Sequence, residues 1–386
     1  MLINNRPLRA AYFAGSMKPG HDGVTRVLYK LIEGLEEYNI GYKFFSAILP
    51  VEEKYAEKML QVPSITFPLY KDYRFAVPGY KHFERALKQF NPDIIHINSP
   101  CSLGYAAVKY AQKFHIPVVA TYHTHFVSYA RYYNVKALET LSWSYFRNIY
   151  NKCQAVYVPS LPVLDELEEN GINNLVFLPH GVDTEVFNRS FKSPDWKKNN
   201  GIADKQVLLF SGRLVWEKDL KVLADAYSII MNKRNDAVFV IAGDGPVRSE
   251  LEKMMPNALF LGYQSGKDLS TAYASSDMLV FPSTTETFGN VTVEAMASGI
   301  PPICARKGGA YGIIKDEVTG LIAEPVDAVS LADKIELLLD NTSLKHRIAQ
   351  NAFEFAQTQS WDSIFRRLFG SYSEIINKFN YNSRAA

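Results

Sequence analysis

The chain reads as an α/β protein built from two parallel sheets covered by helices, and three observations predict this. From Leu8 onward, short apolar runs alternate with amphipathic helical stretches, the order that produces parallel strands joined by crossover helices. The 386 residues are enough for two ordinary domains that each bury a full core. Between two such series lies a polar stretch, NRSFKSPDWKKNNGIAD over 188–204, which reads as a linker.

Composition narrows the classes. A hydrophobic share of 47% with 21% charged residues belongs to a globular protein. A net charge of +2 argues against a nucleic-acid binder held by basic residues. Cys101, Cys153 and Cys304 are scattered, with no C-x-x-C pair. They read as reduced, buried thiols rather than a disulfide frame or a zinc site. No apolar run approaches the ~20 residues that span a bilayer. The opening MLINNRPLRAAYFAG has too short an apolar core for a signal peptide, so the expected location is the cytoplasm.

In chain order, a first strand is expected over 9–14. It runs into GSMKPGHDGVTRVLYKLIEGL, a loop bearing Gly15, Gly20 and Gly23, then a helix with apolar Val24, Val27, Leu28, Leu31 and Leu35. Those positions follow the helical period. Backbone N–H groups in such a loop can cradle phosphate, and a plain strand–helix turn reads equally well. The loop is not G-x-G-x-x-G, so a dinucleotide fingerprint is unsupported. Further strands are expected over 42–47, 93–97, 117–122, 155–159 and 174–178, with helices over 80–90, 103–114, 136–151 and 161–169.

Segment 71–88 is basic and aromatic, with Lys71, Tyr73, Arg74, Phe75, Tyr80, Lys81, Phe83, Arg85 and Lys88. Between Asp93 and Glu139 there is no acidic residue, while Tyr122, Phe126, Tyr129, Arg131, Tyr132, Tyr133 and Lys136 crowd one part of that span. Such a face suits peripheral contact with an anionic membrane; core aromatics beside solvated lysines give the same pattern. His123 and His125 in TYHTHF follow directly on a strand, where parallel sheets place ligand-binding residues. With no third ligand spaced nearby, zinc is disfavoured. His123 is the candidate for hydrogen-bonding a reacting sugar, and His125 for a structural role.

The second series opens with a strand over 207–211 and continues as GRLVWEKDLKVLADAY. Arg213 and Lys218 lie five residues apart across a strand-to-helix loop, able to converge on one diphosphate, Arg as a fork and Lys as a point charge. Two solvated surface cations are the plain alternative. Strands over 237–242, 259–262, 278–282 and 302–304 follow, with a GDGP turn and a Gly308–Gly309 turn, then helices over 328–339, 344–357 and 361–378. No solenoid period is visible.

The stretch VFPSTTETFGNVTVEAMASGIPP over 280–302 organises this half. An apolar strand breaks into a polar loop at 283–289 and resumes as a helix over 291–298. A strand feeding a helix N-terminus is a ready anion site. Glu286 in the loop and Glu294 on the helix, eight positions apart, can accept hydrogen bonds from diols. Phosphate-binding backbone beside two carboxylates suits a nucleotide sugar.

These motifs resemble the GT-B glycosyltransferases of the retaining, family-4 type over nearly the whole chain. The resemblance rests on the glycine loop with GVTRVL, TYHTH, PHGVD, SGRLVWEKDL, AGDGP and ETFGNVTVEAMASGIPPI, in family order. FPLYKDYRFAVP and YHTHFVSYARYY look most like the branch with sulfoquinovosyl- and mannosyl- or glucosyl-diacylglycerol synthases. The resemblance implies two Rossmann-like domains facing a cleft, over 1–187 and 205–360, with a C-terminal helix over 361–386 returning to the first.

It also implies roles. Arg213 and Lys218 would neutralise a leaving diphosphate, helped by backbone N–H groups of Asn290 and Val291, and Glu294 would bind the ribose. Glu286, with the backbone at Phe288 and Gly289, would grip the transferred sugar, and His123 would hydrogen-bond it. Gly15, in the loop that ends at Gly23, would approach the phosphates, and the base would lie near Gly262 and Tyr263. Ser16–Pro19 departs from the compact glycine pair of many relatives, which bears on the first domain's phosphate contact. No metal or other cofactor is expected, since protein cations replace it. The expected partners are a UDP- or GDP-sugar donor and a membrane lipid or glycan acceptor, with a soluble acceptor as the alternative. The other classes are a sugar-nucleotide epimerase, which the charged set fits less well than transfer, a dehydrogenase, disfavoured by the missing G-x-G-x-x-G, and a non-catalytic scaffold, disfavoured because every expected donor residue is present.

Overall fold

A computed structural model describes residues 2–3, 6–18, 23–50, 53–67, 70–76, 80–124 and 136–385. The chain divides into two units, Met1–Pro159 with Leu164–Pro179 and Asp362–Ala386, and Ser160–Val163 with His180–Trp361. Residues 188–204, expected as a linker, belong to the second unit and carry the helix Pro194–Asn199. The polar composition that suggested a linker comes from capping. Ser193 accepts a hydrogen bond from Trp196 N, and Lys197 pairs with Asp277 at 2.9 Å.

The first unit is a seven-stranded sheet. Its order is Leu175–Phe177, Ala155–Val158, Val118–Thr121, Ile94–Ile97, Arg9–Ser16, Gly41–Ile48 and Met59–Gln61, all pairs parallel. The inner strands IIHI, VVAT and AVYV are buried at every position, as parallel strands covered on both faces must be. Sequence order reverses between Arg9–Ser16 and Ile94–Ile97, the switch point where such sheets bind ligands. The first strand runs on to Ser16, so Gly15 is part of it rather than of the following loop. A two-stranded antiparallel pair, Ser64–Phe67 with Tyr70–Ala76, occupies part of the basic, aromatic segment. Further along, Phe83 is core while Arg85 and Lys88 are exposed. His125, Phe126, Tyr129, Arg131, Tyr132 and Tyr133 lie outside the described residues. Cys153 and Cys304 are buried, and Cys101 is only half-buried.

The C-terminal helix Trp361–Ala385, from Asp362 on, packs on this sheet. Ile364, Phe365, Leu368, Phe369, Tyr372 and Ile376 are buried, one helical stripe. Phe365 sits where a Cβ at Gly34 would come within 2.4 Å, so that helix–helix contact requires glycine. A polar contact completes the packing. Tyr372 OH meets His96 Nδ1 in a short hydrogen bond and Tyr12 OH at 3.2 Å, while His96 Nε2 meets Thr121 Oγ1 at 2.7 Å.

The second unit is a six-stranded parallel sheet ordered Leu259–Gly262, Ala237–Ala242, Gln206–Ser211, Met278–Phe281, Pro302–Ala305 and Leu321–Ala323. Sequence order reverses between Gln206–Ser211 and Met278–Phe281, which pair through Leu208 with Met278 and Leu209 with Leu279. Helices Leu220–Lys233, Asn290–Ala297, Ala328–Asp340 and Thr342–Gln357 supply buried apolar residues to its core. Among the described residues no helix is long and apolar enough to cross a membrane.

Burial lowers the His96 pKa to about 3, so the ring is neutral in the fold. Unfolded, it titrates near 6.5, and between the two values the unfolded chain binds the extra proton. Its stabilising contribution is therefore full above about pH 6.5 and is lost as pH falls toward about 3, at about 1.4 kcal/mol per pH unit. Urea unfolding from pH 7 to 4 should show a shallower pH slope for His96→Gln than for the parent.

Candidate functional site

The charged residues singled out in the second half come together at the switch point of its sheet. Gly212 and Arg213 follow the strand Gln206–Ser211, and a short turn, Trp216–Lys218, places Lys218 just before helix Leu220–Lys233. From the neighbouring strand Met278–Phe281 comes the loop 283–289. Lys218 Nζ and Glu286 Oε1 form a short ion pair across these loops, each side chain about one-fifth exposed, at 20% and 21%. The Lys218 ammonium also lies 5.6 Å from the centre of the Phe281 ring. Arg213 is half-buried in the same loop.

Asp219 fixes how the two loops meet. It is 5% exposed and adopts φ 55°, a left-handed conformation that Asp tolerates better than most residues. Its Oδ2 accepts from Thr284 N at 2.8 Å and Thr284 Oγ1 at 2.7 Å. Burial raises its pKa, opposed by those two hydrogen bonds. One residue on, Thr285 Oγ1 donates to Glu217 O at 2.8 Å. The segment flanking Lys218 is thus stitched at two points to the segment before Glu286.

The far side of the Glu286 loop rests on the glycine pair. Gly309 N donates to Glu286 O at 2.6 Å, and a Cβ at Gly309 would lie 1.9 Å from Thr287 O. No larger residue allows that approach. The loop ends at Gly289, φ 88°, which starts helix Asn290–Ala297; the structural start is one residue earlier than the sequence suggested. Asn290 and Val291 occupy the first turn, whose N–H groups have no acceptor within a helix. His180 Nδ1 donates to Asn290 Oδ1 at 2.9 Å, and the His180 ring packs 4.9 Å from Phe288. Glu294 is 6% exposed and its Oε2 accepts from Tyr273 OH at 3.1 Å, which fixes the carboxylate within the helix–sheet layer.

Two more loops reach the same sheet edge. Leu214 N donates to Asp244 O at 2.9 Å and Gly243 N to Gly262 O at 2.8 Å, so the GDGP turn ties the Arg213 loop to Gly262. Gly262 has φ 72°, and Tyr263 beside it is 62% exposed.

In the first unit, Gly15 and His123 lie at the carboxyl ends of two strands that flank Ile94–Ile97 in the sheet. A Cβ at Gly15 would sit 3.6 Å from Ser99 Oγ. His123 is 8% exposed, and its Nε2 lies 3.1 Å from Asn98 Oδ1. Gly23 opens helix Gly23–Glu37, while Gly20 and Pro19 lie outside the described residues. Among the described residues no three His, Cys, Asp or Glu side chains gather as a metal-binding set. The sequence reading missed Asp219, His180 and Asn98. The one signal for Asp219 was an acid where a helix begins directly after a charged turn.

Removing the Asp219 carboxylate leaves Thr284 N and Oγ1 buried without their acceptor. Asp219→Ala should lower stability by about 2 kcal/mol, whereas Asp219→Asn, which keeps one oxygen able to take both bonds, should cost less than half of that. Urea unfolding of both variants checks the difference.

Comparison with known proteins identifies the family. The family described as "Glycosyltransferase Family 4" matches residues 21–186, and "Glycosyl transferases group 1" matches residues 192–355. A GDP-mannose-dependent alpha-mannosyltransferase of Corynebacterium glutamicum is 33% identical over 381 residues, 96% of this chain and 90% of that protein. An alpha-monoglucosyldiacylglycerol synthase of Streptococcus pneumoniae is 25% identical over 398 residues, 98% of this chain and 88% of that one. The sucrose-phosphate synthase structure from Thermosynechococcus elongatus superposes with a TM-score of 0.81, at 20% identity, over 96% of this chain and all of that one, which places the fold among the GT-B glycosyltransferases. With such identity sustained over nearly its full length, the chain belongs to the group 1, family-4 glycosyltransferases.

Proposed function

We propose that the protein transfers a hexose from a nucleoside diphosphate sugar to a lipid or glycan acceptor, with retention of anomeric configuration and without a metal ion. The observation that carries this is the Lys218–Glu286 pair at the switch point, beside Arg213 and the first turn of helix Asn290–Ala297.

The pair acts by exchange of partners. A diphosphate carries more charge than a carboxylate, and Lys218 transfers its hydrogen bond from Glu286 to a phosphate oxygen. Glu286 then accepts from hydroxyls of the bound hexose. Arg213 and the backbone N–H groups of Asn290 and Val291 share the phosphate charge, so protein groups do the work of a metal. Glu294 takes the ribose hydroxyls, and the base lies along Gly262 and Tyr263. In the first unit, His123 offers a hydrogen bond to a sugar hydroxyl and Gly15 offers its N–H to a phosphate.

Chemistry follows from where charge develops. The C1–O bond to the diphosphate breaks through an oxocarbenium-like state, and Lys218 and Arg213 stabilise charge that grows only on the leaving group. The acceptor oxygen bonds to C1 on the face the phosphate leaves, and its proton passes to the departing phosphate oxygen. No carboxylate serves as nucleophile in this step. The acceptor class rests on the names of the relatives, one a diacylglycerol glucosyltransferase. A membrane lipid acceptor would bring the protein to the cytoplasmic membrane face. GDP-mannose is the first donor to try, on the name of the relative that is 33% identical over 96% of this chain.

Lys218→Ala should reduce kcat roughly a hundredfold, the loss of about 3 kcal/mol of leaving-group stabilisation. Turnover of GDP-mannose and UDP-glucose measured with chelator present checks it; a loss of only a few-fold would remove Lys218 from this role.

A further inference from the structure

We infer that Asn98 is a positioning residue for His123, holding the ring in the tautomer whose Nε2 carries the proton and whose Nδ1 accepts. The inference deepens the transferase reading, since it concerns the imidazole assigned to the sugar.

The geometry is a polar ladder on one face of the first sheet. Side chains two apart on a strand share a face, which pairs His96 with Asn98 on one strand and Thr121 with His123 on its neighbour. The lower rung is His96 Nε2 with Thr121 Oγ1 at 2.7 Å. The upper rung, at the strand ends, is His123 Nε2 with Asn98 Oδ1 at 3.1 Å. Both rungs hang from fixed backbone, because Asn98 N donates to Phe13 O at 2.8 Å and Tyr122 N to Tyr157 O at 2.9 Å.

An amide oxygen only accepts, so Nε2 must be the donor and the neutral ring is committed to one tautomer. Asn98 is 5% exposed, and among the described residues its Nδ2 has no hydrogen-bond partner. Burying an unmatched amide donor is costly, and a serine or an aliphatic residue at this position would avoid it. The retained oxygen, aimed at His123, is what the asparagine supplies. An imidazole fixed with Nδ1 as acceptor can receive a hydrogen bond from a sugar hydroxyl, whereas the other tautomer would present a donor there.

The test uses the full chain with histidine labelled at the imidazole nitrogens. Nitrogen NMR at pH 8 reads the tautomer, and His123→Gln identifies the signal. The parent should show the Nε2–H form. Asn98→Ala should lose that preference and drop kcat roughly thirtyfold or more, with KM for the donor within about threefold. Asn98→Asp, which keeps an oxygen acceptor in place, should retain the tautomer and most of the turnover. An Nδ1–H ring in the parent, an unchanged ring in Asn98→Ala, or a changed ring with unchanged kcat would each overturn the inference. The tautomer measurement needs no substrate, so it decides the matter even if the parent transfers no hexose.

Discussion

The strand Gln206–Ser211 pairs with Met278–Phe281, and the charged groups of the second unit hang from that pairing. Parallel strands end on the same edge, so the loops that follow two adjacent strands emerge side by side. At the point where strand order reverses, the crossover helices leave in opposite directions and the two loops are left facing each other. Lys218 and Glu286 meet there, one from each loop. Asp219 then sets their register through Thr284, and the close approach of Gly309 to Thr287 holds the loop from behind. The ion pair is thus an outcome of the sheet, and chemistry is added to it by the helix start at Asn290.

The first unit repeats the plan with different chemistry. Its switch-point strands end in Gly15, Asn98 and, one strand further, His123. Beneath them His96, Thr121, Tyr12 and Tyr372 join the sheet to the C-terminal helix by hydrogen bonds inside an aromatic core.

Much of this was legible in the sequence where physics is local. Runs such as IIHI, VVAT and AVFVIA announce buried parallel strands, because both faces must be apolar. Lys218 stood out with Arg213 as two cations across a strand-to-helix loop, and Glu286 with Glu294 as two acids beside a helix start. The three-residue edge strands Met59–Gln61 and Leu321–Ala323 were not legible; segments so short carry no period. Nor was the strand Tyr70–Ala76, whose charged residues hid its alternation. The contacts that position the site were invisible for a different reason. Asp219 with Thr284, His180 with Asn290, and His123 with Asn98 are bonds between side chains 65, 110 and 25 residues apart, and only the folded sheet brings them together. The stretch 188–204 misled because capping residues and linker residues are the same amino acids.

The most direct test of the account is calorimetric titration of the protein with UDP and with GDP in the presence of a chelator. The account predicts clear binding of one of the two nucleotides under those conditions, with an affinity that added magnesium or manganese does not raise. Binding that appears only when metal is supplied, or no binding of either nucleotide, would contradict the assignment of the diphosphate to Arg213, Lys218 and the start of helix Asn290–Ala297.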